Sequence, residues 1–143
     1  MTKTLTSGEA LEDALQIFRA SPAHTKYNVN DIYIYLQLPI QYRTIQIYYE
    51  DHKPVGLITW CWLRKEDADL FLKDKYHPTP DDYRLDDPVS RELWGMEFIA
   101  PYGHTKHMMR SIKQKIDERY GPQQVHWRRF HSRNTKRTKR FKV

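Results

Sequence analysis

The sequence predicts a single α/β (α+β) domain, with a mixed, mainly antiparallel sheet flanked by helices. Three observations carry that expectation. Two runs of β-branched and aromatic residues, 44–49 and 55–63, are separated by a short polar break suited to a hairpin. Two amphipathic stretches, 9–20 and 104–120, place apolar residues at helical spacing. The second of these lies between strand-like segments at 92–100 and 124–130, which requires a crossover and therefore some parallel pairing. A chain of 143 residues without internal repeats is one domain's length. At that size it can bury roughly two thirds of its unfolded surface.

Each element has its own signal. Leu11, Ala14, Leu15 and Phe18 fall at i, i+3, i+4 and i+7, with Ser7 as N-cap and Glu9, Glu12 and Asp13 at the positive end. Ser21-Pro22 stops that helix, because a residue before proline avoids helical angles. Segment 30–38 fits helix or strand by periodicity. Asn30 as a cap and Pro39 as a stop favour helix. The polar break Glu50-Asp51-His52-Lys53 predicts a four-residue hairpin loop. Residues 65–74 read as helix, with Ala68, Phe71 and Leu72 on one side. The proline- and aspartate-rich stretch 77–88 reads as a surface loop. Pro101-Tyr102-Gly103 ends the next strand, and Met108, Met109, Ile112 and Ile116 form the apolar face of the helix that follows. Gly121-Pro122 ends that helix before the last strand.

Charge is unevenly divided. The net charge is +6, yet residues 128–143 hold eight Lys or Arg and no acid. Residues 1–127 therefore hold sixteen basic against eighteen acidic side chains, with an acidic belt from 66 to 92. We divide the chain into a domain at 1–131 and a basic tail at 132–143. One cysteine excludes an internal disulfide framework, and no Cys/His spacing suits a structural zinc site. None of the seven histidines makes a His-x₃-His or His-Glu-x₂-His pattern, so no metal is expected. The longest apolar run, 56–63, is far short of the roughly 20 residues that span a bilayer. The first residues lack a signal pattern, and a cytoplasmic protein is expected.

Chemistry has few places to sit. His24 lies in the constrained turn Ser21-Pro22-Ala23-His24, where an imidazole titrating near neutral pH suits a general base. Glu97 interrupts the apolar strand 93–100. If Leu93, Gly95, Glu97 and Ile99 share a face, the acid either meets a partner or faces solvent on an edge strand. Ala100-Pro101-Tyr102-Gly103-His104 connects a strand to a helix start, where free N–H groups favour an anion. With one glycine it is equally an ordinary turn. Cys61 lies within a strand whose burial makes a thiol inert, and Trp60 and Trp62 read as core. The tail, with Trp127, Phe130 and Phe141 interleaved, leaves nucleic-acid binding open.

Several short motifs nevertheless occur together and in order. They are Ser21-Pro22-Ala23-His24, Leu38-Pro39-Ile40, Pro54-Val55-Gly56 with Thr59-Trp60, the run Trp94-Gly95-Met96-Glu97-Phe98-Ile99-Ala100-Pro101-Tyr102-Gly103, and Arg129-Phe130-His131. Together they resemble the RTX toxin-activating lysine acyltransferase family from about residue 9 to residue 131. The resemblance implies a fold like the GNAT acetyltransferases and a fatty acyl donor carried as a phosphopantetheine thioester on acyl carrier protein. The acceptor it implies is the ε-amine of an internal lysine in a target protein. The family's essential histidine matches His24, and its acidic partner, an aspartate, matches Glu97. Donor binding is then expected at Pro101, Tyr102, Gly103 and His104, with Lys106, Arg110 and Lys113 meeting the acidic carrier. No tightly bound cofactor is implied. Alternatives beside this reading are a structural or assembly protein on a retired acyltransferase fold and a coenzyme-A-dependent small-molecule acetyltransferase.

Overall fold

A computed structural model describes residues 5–130 and 136–142. Helix α1, Ser7–Arg19, begins at Thr6 rather than Ser7. The Thr6 side chain accepts from Glu9 N, and the Glu9 carboxylate accepts from Thr6 N, a reciprocal cap that Ser7 has no acid in register to make. A single 3₁₀ turn, Pro22–His24, follows. The ambiguous segment is helical and longer than its sequence signals indicate. It is capped at Asn28 through Asp31 and runs as α2, Val29–Ile32, a π-turn, Tyr33–Gln37, and α3, Leu38–Gln41. Pro39 does not close it. The wide turn ends just before Pro39, where a regular helix would set the proline ring against a carbonyl one turn earlier.

Strands β1, Ile45–Glu50, and β2, Lys53–Leu63, form the predicted hairpin, but its loop is two residues rather than four. Asp51 and His52 both take left-handed angles, the twist that a two-residue hairpin needs. Helix α4, Lys65–Leu72, buries Ala68 and Phe71. The stretch expected as a surface loop instead holds a short helix, α5, Pro80–Arg84, whose Asp82 and Tyr83 are buried. A buried carboxylate needs partners, and Asp82 has Arg91, Tyr76 and the Thr79 backbone.

Strand β3, Glu92–Ile99, leads through the 101–104 turn into α6, Thr105–Tyr120, and back to β4, Gln124–Phe130. The backbone of β5, Lys136–Lys142, pairs antiparallel with β4. Sheet order is β1-β2-β3-β4-β5, antiparallel except for the β3–β4 pair. The domain is therefore mixed α/β, and β3 is its central strand. The tail side chains that motivate the nucleic-acid reading lie outside the described residues, as do those of Arg129, Phe130 and His131. Trp127 is described, and it packs over Gly95 and against Phe98. Among the described residues no helix is long and apolar enough to cross a membrane.

The helices divide between the two sheet faces. Leu57, Cys61, Leu63, Trp94 and Ile99 face α1, the 29–41 helical run, α4 and α5. Ile58, Trp60, Trp62, Leu93 and Phe98 face α6. Trp60 and Trp62 are core, as expected. Gly56 lets α6 approach closely, since a Cβ there would stand 2.6 Å from the Met108 sulfur.

Candidate active site

The pair proposed from sequence meets in space. Glu97 Oε2 lies 2.7 Å from His24 Nε2, across 73 residues of chain. Two local features make the encounter possible. On β3 the register slips: Glu97 stands opposite Thr59 and Gly95 opposite Trp60, leaving Met96 as an extra residue. This bulge breaks the alternation assumed from sequence. Glu97 and Ile99 share a face with Trp94, not with Leu93 and Gly95, so Glu97 points to the α1 side rather than to α6. Glu97 is 7% exposed on the central strand, which excludes the solvent-facing edge alternative.

On the other side, the chain after α1 turns in i→i+3 steps. His24 N bonds to Ser21 O, and Tyr27 N bonds to His24 O. Side chains three apart in such turns line up, so Ser21, His24 and Tyr27 form a row beside Glu97. Ser21 Oγ is 2.7 Å from His24 Nδ1. The Tyr27 hydroxyl donates to Glu97 Oε1 at 2.5 Å. Phe18 and Tyr27 flank the imidazole, with ring centroids 5.2 and 5.1 Å from it. Below, Glu97 N donates to Thr59 Oγ1 and holds the strand. Burial and the Glu97 carboxylate push the Tyr27 phenol well above the usual tyrosine range, so it stays a donor.

Glu97 Oε2 meets Nε2 and Ser21 Oγ meets Nδ1. A carboxylate in its ionised form only accepts, so that form pairs with a protonated Nε2 and leaves Nδ1 its lone pair. Sequence reading names Ser21 only as part of a motif and passes over Tyr27. The spacing Ser-x₂-His-x₂-Tyr was the available signal, and it needed the 3₁₀ geometry to be interpreted.

The expected donor-binding residues lie apart from the pair. Pro101 is four residues beyond Glu97, about 13 Å along an extended strand. Tyr102 and His104 line an open groove of about 980 Å³ together with residues of the β1–β2 hairpin and with Arg19 and Ala20, the residues directly before Ser21. The His104 ring is hydrogen-bonded to Glu50 on the hairpin. His104 takes a left-handed backbone and no side chain caps α6. Gly103 is also left-handed, at φ +92°. Lys106, Arg110 and Lys113 are exposed on α6, which covers the sheet face opposite His24. Cys61 is fully buried, which pushes its thiol well up and away from nucleophilic use.

The fold is a mixed α/β domain, and its candidate site sets a buried carboxylate against a histidine, the pairing from which general-base sites are built. The chain belongs to the RTX toxin acyltransferase family, whose model matches residues 3–142. It is 25% identical over 133 residues to the RTX-I toxin-activating lysine-acyltransferase ApxIC of Actinobacillus pleuropneumoniae, covering 85% of this chain and 75% of that one. It is 24% identical over 98 residues to the lysine-acyltransferase RtxC of Vibrio cholerae serotype O1, covering 67% of this chain and 61% of RtxC. An uncharacterized protein of Synechocystis, sll0720, is 24% identical over 108 residues, which cover 74% of this chain and 71% of that protein.

Proposed function

We propose that this chain moves a fatty acyl group from a phosphopantetheine thioester on acyl carrier protein to the ε-amine of an internal lysine in a target protein of the RTX-toxin kind. The observation that carries the reading is the His24–Glu97 contact, in a chain of this family. A lysine amine is only about 0.1% neutral near pH 7.4, a penalty of roughly 4 kcal/mol, so the reaction needs a base. The amine nitrogen attacks the thioester carbonyl, a C–N bond forms, and the C–S bond breaks. His24 Nδ1 takes the amine proton, directly or through the Ser21 hydroxyl, and returns it to the departing pantetheine thiolate. Glu97 holds the ring and opposes the positive charge that the imidazolium gains.

Further geometry supports this choice of donor. The same groove is lined both by His104, at the uncapped start of α6, and by Ala20, the residue before Ser21. Amides at that start and after Pro101 suit the donor's phosphate, whereas the oxyanion forms beside His24, too far from them to be held there. Lys106, Arg110 and Lys113 suit an acidic carrier protein. The β3–α6–β4 crossover, with a ladder of only three residue pairs, suits a GNAT-like arrangement.

The test is intact-mass analysis of an RTX-type target protein incubated with this chain and acyl carrier protein loaded with different acyl chains. A gain of one acyl group on a lysine is expected, and it should disappear when the carrier is not loaded. Acetylation of small amines from coenzyme A, with the target protein unmodified, would replace this reading with that of a small-molecule acetyltransferase.

A further inference from the structure

We propose that Tyr27 is a positioning residue of this site: its hydroxyl holds Glu97 Oε1 and so aims Oε2 at His24 Nε2. The inference rests on reading His24 as the base. A glutamate side chain has three rotatable bonds, and a single contact to an imidazole leaves the carboxylate free to swing. Here each oxygen has its own donor, Tyr27 at 2.5 Å and His24 at 2.7 Å. The two donors lie three residues apart on one turn, so a single local structure fixes both ends of the carboxylate.

Tyr27 is itself fixed. Its ring stands edge-on to Phe18 at 5.4 Å, lies 6.2 Å from Tyr35, and touches the imidazole it helps to orient. The Tyr35 hydroxyl is in turn hydrogen-bonded to His77 Nδ1. The hydroxyl also matches the length of the acid. Shortening Glu97 by one carbon draws the carboxylate back about 1.5 Å, one C–C bond, which lengthens both contacts unless the backbone follows.

Tyr27→Phe removes the hydroxyl and keeps the ring. It is expected to lower kcat for acyl transfer about tenfold, the worth of one hydrogen bond to a charged group, with KM for donor and acceptor within about twofold. In a Glu97→Ala background the same change is expected to cost almost nothing, because its target is gone. A second readout does not depend on activity. In protein labelled with ¹⁵N-histidine, the His24 Nε2 proton is expected as a sharp downfield resonance that broadens in Tyr27→Phe.

Parental kcat with an unmoved resonance overturns the proposal, and so does an equal loss in the Glu97→Ala background. Should no substrate be turned over by the parent, the acyltransferase reading fails. The resonance alone then decides the positioning role, broadening in its favour and constancy against it. Should Tyr27→Phe fail to fold, Tyr27→3-fluorotyrosine keeps the shape and makes the hydroxyl a stronger donor. A His24 resonance that does not move in that protein overturns the proposal as well.

Discussion

Met96 stands opposite no residue of β2, and its neighbour Glu97 therefore turns toward the α1 face, where His24 waits at 2.7 Å. In a regular ladder Glu97 would sit opposite Ile58 and point at α6. One inserted residue thus decides whether the carboxylate has a histidine or an apolar helix for company. The same slip keeps Gly95 on the α6 side, under the Trp127 ring.

Glu97→Gln keeps the shape of the side chain and removes its charge. Acyl transfer is expected to slow by about 10²–10⁴-fold, the range of general acid–base components, without unfolding. Glu97→Asp retains the charge on a shorter arm and is expected to fall between Gln and the parent. The acid limb of the pH–rate profile should move to lower pH in Glu97→Gln, because the imidazolium loses its opposing charge. Parental rates in Glu97→Gln, with an unmoved profile, would remove the carboxylate from the chemistry.

His24→Ala should abolish transfer and leave the far-ultraviolet circular dichroism unchanged, since His24 sits on a surface turn outside the core clusters. Ser21→Ala should be milder. It removes the hydroxyl from Nδ1 but leaves that nitrogen its lone pair, so a loss of about tenfold is expected, one hydrogen bond's worth at a charged centre. Steady-state rates on both variants decide the ranking. A Ser21→Ala protein as inactive as His24→Ala would show that the proton must pass through the hydroxyl.

Gly95→Ala tests packing rather than chemistry. A Cβ there would stand 2.2–2.3 Å from atoms of the Trp127 ring, so ring or strand must move. Overpacking of this kind costs about 1–3 kcal/mol, which denaturant unfolding can resolve. Trp127→Leu should recover part of the loss in the double variant. An unchanged midpoint in Gly95→Ala would mean that the ring has room to shift.

Cys61 should be silent in the native protein. Burial raises the thiol well above its ordinary range, so the reactive thiolate is scarce and unreachable at pH 8. A thiol reagent is expected to label it only after unfolding in guanidinium, and Cys61→Ala should transfer acyl groups at a rate near the parental one. Rapid labelling of folded protein would contradict its burial.

Much of this protein was legible in the order of its residues. Periodicity located α1, α6 and the hairpin, because side-chain spacing on one helix or strand depends only on local geometry. The crossover between β3 and β4 followed from a helix lying between two strands. The turn that carries His24 was legible too, since a proline-fixed turn announces itself locally, but its pairing with Glu97 was expected only from the family resemblance. Three features were not. Asp82 and Tyr83 are buried although their neighbours are proline and aspartate, because the stretch folds back so that Tyr76 and Arg91, on either side of it, satisfy the carboxylate. The bulge at Met96 leaves no mark in the sequence: a strand's alternation is periodic until its partner strand dictates a slip. Tyr27 became part of the site only when a 3₁₀ turn aligned it with Ser21 and His24, and the tertiary fold brought β3 beneath all three. Local spacing determined the elements and the turn that carries the histidine. The direction of Glu97, and therefore the site, was decided by the pairing of strands distant in sequence.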